Sequence, residues 1–215
     1  MRRKERYNFI SEHFRHVMPE VTTELEFGSA FQLLCATILS AQCTDKRVNM
    51  VTPTLFLHYP TAHEMAKASQ DDDVLEHIAS ISYPNSKSRH LVEMARILVR
   101  DFHGEVPADM ESLTSLPGVG RKTANVMRAV WFGLPAMAVD THVFRVSHRL
   151  GLVPDNADTP VKVEKYLVAN FEKEDLANAH HWLILHGRYV CLSRKPKCGE
   201  CAFSHFCPSV VKENC

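Results

Sequence analysis

Leu116-Pro117-Gly118-Val119-Gly120-Arg121-Lys122-Thr123-Ala124 lies between two stretches of helical patterning. Two glycines flank one apolar residue, so the run reads as a tight turn between helices, a helix-hairpin-helix. Glycine reaches positive φ without strain and leaves backbone N–H groups uncovered, so a phosphate can approach the start of the next helix, where the dipole also favours an anion. Such a turn grips the DNA backbone without reading bases. A lone Gly-x-Gly is more often an ordinary helix connection; the full Leu-Pro-Gly-Val-Gly run is far more specific. Lys122 then falls in the first turn of the second helix, where the dipole and neighbouring Arg121 both disfavour a protonated amine. A lysine must lose its proton to act as a nucleophile, and nearby positive charge is one way to activate it.

Further on, Ala138-Val139-Asp140-Thr141-His142-Val143-Phe144-Arg145-Val146 brings a carboxylate along an apolar approach to the start of another helix. Asp140 reads as the N-cap of that helix, and this is compatible with its being the acidic partner of Lys122.

Cys191, Cys198, Cys201 and Cys207 form the pattern C-x6-C-x2-C-x5-C. Four soft ligands so close together imply one metal centre. Zinc sites of four cysteines usually come as two C-x2-C knuckles, and here only Cys198 and Cys201 make one; an iron–sulfur cluster also takes four thiolates and tolerates wider spacing. Spacing alone leaves both open, while disulfides are disfavoured in a reducing compartment. Between the first two ligands lie Arg194, Lys195 and Lys197, a basic loop suited to phosphate. Cys35, Cys43 and Cys215 read as spare thiols.

Working outward, apolar residues recur at helical spacing, as in Ile10, Phe14 and Val17, and the chain reads as all-α. Helices are expected over about 4–17, 29–41, 45–58, 71–79, 85–102, 107–114, 121–132, 142–150, 160–172 and 176–187. Ser29 caps one start, and Pro107 and Pro160 each open a helix as first-turn prolines. The 215 residues carry 25 basic and 25 acidic side chains, a balance that by itself argues against a nucleic-acid binder. Distribution matters more: no acid stands between Glu111 and Asp140, and Arg188, Arg194, Lys195 and Lys197 lie between Asp175 and Glu200. The segment Met1–Arg6 leads into a mixed polar stretch without the apolar core of a secretory signal, so the cytoplasm is expected. The longest charge-free apolar run, Ala129 to Val139, is too short to span a bilayer, and no membrane partner is expected.

Taken together, the hairpin ending in Lys122, the segment Val139-Asp140-Thr141-His142, the stretch His181-Trp182-Leu183-Ile184-Leu185-His186-Gly187-Arg188 and the cysteine set resemble the endonuclease III family. Leu39-Ser40-Ala41-Gln42 with Thr44-Asp45, and Asn85-Ser86-Lys87, extend the resemblance to nearly the whole chain. It implies a two-domain helix-hairpin-helix DNA glycosylase fold: a six-helix barrel over about 23–134, with the hairpin unit at about 107–132, and a discontinuous domain of 1–22 and 135–215 carrying a [4Fe-4S] cluster in the loop 191–207. It also implies a base-excision repair enzyme acting on damaged double-stranded DNA, removing oxidised or ring-saturated pyrimidines; a monomer is expected because no unexplained apolar face or heptad remains in the sequence. Lys122 would attack C1′ of the flipped nucleotide, form a Schiff base and cut 3′ to the abasic site by β-elimination, with Asp140 stabilising charge on the sugar. Gln42 would enter the gap left by the flipped nucleotide and Tyr83, two residues before Asn85, would wedge the opposite strand. Further DNA contacts are expected at Asn85, Lys87, Gly118, Gly120, Arg121, Arg194 and Lys195. Tyr83 departs from the aliphatic residue common at this place and is similar to the adenine glycosylase branch, whereas Lys122 stands where that branch usually carries a hydroxyl. The rival readings are a mismatch adenine glycosylase-like enzyme, a noncatalytic DNA-binding protein and an electron carrier.

Overall fold

The computed structural model describes the chain apart from residues 69–70 and 214–215, with the backbone alone at 71–72 and 211–213; Cys215 therefore lies outside the described residues. The described residues contain helices and connections but no strand. Two compact units divide them: Glu24–Phe132, and Met1–Thr23 with Gly133–Cys215. No helix among the described residues is long and apolar enough to cross a membrane.

The unit Glu24–Phe132 holds α2 (Ala30–Leu39), α3 (Asp45–His58), α4 (Ala62–Ala66), α5 (Asp71–Ile78), α6 (Pro84–Phe102), α7 (Met110–Ser115) and α8 (Arg121–Val126), which runs on into a π-helical turn over Met127–Trp131. Helix α2 is apolar all round, and Phe31 and every residue from Leu33 to Leu39 are buried, as a helix at the centre of a core requires. Ser29 caps it by accepting from the Gln32 N–H. Helix α6 instead buries one stripe, Leu91, Met94, Ala95 and Leu98, against that core.

Three of the boundaries that differ from the sequence expectation have a visible local cause. Helix α7 starts at Met110 because the Asp109 carboxylate accepts from the Ser112 N–H at 2.8 Å; Pro107 stays outside, so it is not a first-turn proline. Helix α6 opens one residue earlier, with Pro84 in its first turn. The helix expected over 121–132 is α-helical only to Val126, after which the Phe132 N–H reaches back five residues to Met127 O and Trp131 lies edge-on to Phe27. Helix α4 is too short to print a periodicity on the sequence.

The second unit packs α1 (Arg3–Val17) with α9 (Thr141–Arg149), α10 (Pro160–Asn170), α11 (Leu176–Tyr189) and α12 (Pro208–Glu213), a short helix absent from the expected set. Tyr7, Ile10 and Phe14 recur at helical spacing on α1, and burying each contributes about 1.5–3 kcal/mol. Phe14 stacks on Trp182, whose indole N–H donates to Met18 O, and the Tyr7 hydroxyl donates to Leu152 O. Arg15 grips the buried Asp175 carboxylate through two hydrogen bonds of 2.8 and 2.6 Å.

His181 is buried in the same unit, and that burial, helped by the Arg188 charge, holds its imidazole at about 4, below 6.5 for a free side chain. The unfolded chain therefore takes up this proton first as pH falls. The neutral form is matched to the fold above pH 6.5, and stability drains away between there and pH 4 by about 3 kcal/mol from this one group. Denaturant titrations from pH 7 to pH 4 are expected to show that decline, and His181→Gln to flatten it; equal declines in the two proteins would remove His181 as the cause.

Candidate functional site

The hairpin is built from its two apolar anchors. Leu116 and Val119 are buried in the core of their unit, and the Val119 N–H donates to Leu116 O at 3.1 Å, closing the turn. Between them Gly118 adopts φ +78°, and a Cβ there would meet the His90 side chain at 3.1 to 3.3 Å. Gly120, the N-cap of α8, has φ −90° and open space where a Cβ would stand. These two glycines therefore answer to different demands. Gly118→Ala is expected to cost about 1–2 kcal/mol of stability because an L-residue is forced into the left-handed region against His90. Gly120→Ala is expected to cost only roughly 0.5 kcal/mol while lowering DNA affinity several-fold, because its methyl covers the N–H groups a phosphate would approach. Thermal melts and duplex titrations of the two variants check the contrast; equal losses of affinity and stability in both would refute it. Arg121 and Lys122 follow as the first two residues of α8, both exposed, with no acid in that turn.

Two further segments of this unit carry more of the expected DNA contacts. Gln42 and Tyr83 are both exposed and both hold left-handed backbone, φ 55° and 56°, uncommon for residues with a side chain. Tyr83 is the N-cap of α6 and is 63% exposed, large for an aromatic ring. Ser82 Oγ donates to Gln42 O at 2.8 Å, joining the loops. Asn85 is exposed in the first turn of α6. Lys87 is different: it is buried, and its ammonium donates to Leu39 O and Ala41 O.

In the other unit a buried run, Ala136 to Val139, delivers Asp140 to the N-cap of α9, where its Oδ1 accepts from the Val143 N–H at 2.8 Å. Asp140 is half-buried. Helix α9 then sends two arginines to the cysteine segment. Arg145 donates to Gly187 O and Cys191 O; Arg149 donates to Leu192 O at 2.6 Å and Ser193 O at 3.2 Å, with its Nη1 3.7 Å from Cys191 Sγ. Neither arginine was singled out from the sequence. Their i, i+4 spacing on one helix was a visible signal, but their targets lie more than forty residues away.

Cys191, Cys198, Cys201 and Cys207 all line one pocket, together with Arg149, His186 and Pro196. Among the described residues no three His, Cys, Asp or Glu side chains converge as the ligands of a single ion would; the thiols stand around the pocket walls instead. Burial raises the Cys201 thiol above its ordinary value, the Phe203 N–H opposes this, and Cys207 and Cys191 add to the rise. A buried thiol of this kind ionises readily only beside a cation. His186 Nε2 lies 3.6 Å from Cys201 Sγ. The loop between the first two cysteines presents Arg194 and Lys195 to solvent, with Lys195 at φ 52°. Lys122 and its hairpin thus belong to one unit, Asp140 and the cysteines to the other.

Residues 35–173 match the model of the HhH-GPD superfamily base excision DNA repair proteins. The chain is 45% identical over 200 residues to the endonuclease III of Rickettsia conorii, covering 93% of this chain and 94% of that protein. It is 44% identical over 200 residues to the endonuclease III of Escherichia coli K12, with 92% of each chain covered. Among solved structures, a trapped covalent intermediate of an endonuclease III with DNA superposes with a TM-score of 0.92 at 40% identity, over 100% of both chains. A thermostable thymine-DNA glycosylase shares the fold, with a TM-score of 0.86 at 21% identity over 98% of this chain and 97% of that one.

Proposed function

This chain belongs to the endonuclease III family of HhH-GPD base excision repair proteins, the DNA glycosylase/AP lyases, and from that premise we propose that it removes oxidised or ring-saturated pyrimidines from duplex DNA with Lys122 as nucleophile. The observation that carries the assignment is the exposed Lys122 in the first turn of α8, directly after Gly120, where open space stands in place of a Cβ. The damaged nucleotide leaves the stack, at least cost where the lesion pairs poorly. The Lys122 amine bonds to C1′ as the C1′–N bond to the base breaks, and the base leaves with the bonding pair. Ring opening makes the Schiff base; loss of a C2′ proton then expels the 3′ phosphate by β-elimination. Asp140, half-buried at the N-cap of α9, stabilises the positive charge that develops on the sugar.

The hairpin glycines and Arg121 of one unit, and Arg194 and Lys195 of the other, supply backbone contacts. Gln42 fills the gap and Tyr83 wedges the opposite strand, and its exposed ring supports stacking as the mode of insertion. The unit Glu24–Phe132 is read as the barrel domain and the discontinuous unit as the cluster domain, with the enzyme working as a monomer on nucleoid DNA in the cytoplasm.

The four cysteines fit a [4Fe-4S] cluster: all line one pocket, and thiols spread around its walls suit a group in which each thiolate binds a different iron. Bound there, the cluster supplies a cross-link that shapes the basic loop. Arg149 and Arg145 hold the backbone of that loop from α9.

Borohydride trapping on a duplex with one thymine glycol tests the function. A covalent protein–DNA adduct is the expected result; binding without adduct or base release would favour a noncatalytic DNA-binding protein. Broad visible absorbance of the purified protein is expected from the cluster, and a colourless protein with bound zinc would overturn that assignment.

A further inference from the structure

A lysine that neutralises a phosphate has to present its ammonium to solvent, and Lys87 does the opposite. It is 5% exposed, and its Nζ donates to Leu39 O at 2.8 Å and Ala41 O at 2.6 Å. Leu39 O is among the carbonyls left without intrahelical partners at the end of α2, and Ala41 O lies in the turn that leads to Gln42. The same residue's backbone N–H donates to Tyr83 O at 3.2 Å. Its main chain therefore holds the residue at the tip of one loop while its side chain holds the turn before the tip of the other. Ser82 Oγ on Gln42 O is a second tie between the same loops. Both tips, Gln42 and Tyr83, sit in left-handed backbone, a conformation that persists in residues with side chains only where the surroundings over-determine it.

We propose that Lys87 is a positioning residue and not a phosphate contact: its buried ammonium locks the turn after α2 to the N-terminus of α6, so that Gln42 and Tyr83 stand as one preset pair for insertion into the duplex. This rests on the reading of Gln42 and Tyr83 as the inserting residues. Presetting matters because each tip must reach its place in the stack without first ordering a loop, and a misplacement of about 1 Å can cost roughly 100-fold in rate. The lysine lowers that ordering cost without releasing any counterion from DNA.

The distinction is measurable on the unmodified protein. Acetylation of the wild-type enzyme, free and with excess thymine glycol duplex, is expected to leave Lys87 unreactive in both states by mass spectrometry; reaction in the free enzyme with protection by DNA would overturn the proposal. This arm stands even where Lys87→Met destabilises the fold. With a folded Lys87→Met variant, the slope of log affinity against log salt is expected to stay unchanged, whereas loss of a phosphate contact lowers it by about 0.9. Single-turnover base release is expected to fall roughly 10- to 100-fold, with a matching loss of nucleotide extrusion reported by 2-aminopurine. In a Gln42→Ala background the same substitution should add less than its full effect, since the two act through one geometry. A reduced salt slope, or a native single-turnover rate, would overturn the assignment. Native rates for Gln42→Ala and Tyr83→Ala would instead show that the inserting pair was misidentified, and the proposal would fall with it.

Discussion

Lys122→Ala is expected to give no borohydride-trapped adduct on a thymine glycol duplex and to slow single-turnover base release by on the order of 10³-fold or more, with folding and duplex binding nearly retained. The split follows from where the residue stands. Lys122 is exposed on the first turn of α8, and the core of its unit is built from other residues of that segment, Leu116, Val119 and Ala124. Substitution at such a site moves stability by about 0.5 kcal/mol at most. Affinity loses one positive charge, worth up to about one unit of salt slope. Chemistry loses the only atom that the mechanism bonds to C1′. Lys122→Gln, with nearly the same length and no nucleophile, should behave as the alanine variant does. A persisting adduct would mean that another amine attacks, and Lys122 would revert to a backbone contact of the hairpin.

Asp140→Asn is expected to separate the helix-capping role of this carboxylate from its proposed role in catalysis. As N-cap of α9, Asp140 accepts from the Val143 N–H at 2.8 Å, and asparagine caps helices about as well as aspartate. Stability should change by a few tenths of a kcal/mol. The amide carries no charge for a developing cation on the sugar, so single-turnover base release should fall by about 10²- to 10³-fold. Asp140→Ala should show the same loss of rate with about 1 kcal/mol of destabilisation in addition, from the uncapped helix. Melting temperatures and single-turnover rates of the two variants, measured together, test the separation. A near-native rate in Asp140→Asn would reduce the residue to a helix cap.

What could be read without coordinates was local. The Gly118–Gly120 turn, the caps at Ser29 and Asp140, Pro160 in a first turn and the cysteine spacing all depend on residues within a few positions of one another, where chain geometry dictates the outcome. So do Ile10 and Phe14 on α1, whereas Val17 of the same expected stripe is exposed. Short helices such as α4 escaped, since five residues do not complete two turns of a pattern. The start of α7 escaped because two local signals competed and the Asp109 cap prevailed over Pro107. Lys87 marks the boundary most clearly. Its sequence context suits a solvent-facing lysine, yet its ammonium is buried on carbonyls from 46 and 48 residues earlier. Arg149 meeting Leu192 O and Ser193 O is of the same kind. Sequence alone determined the longer helices, where Lys122 and Asp140 sit on them, and which cysteines group together. Tertiary structure decided which charges face solvent and which serve to hold the backbone, because a lone carbonyl at a helix end takes whatever donor the packing of another helix brings to it.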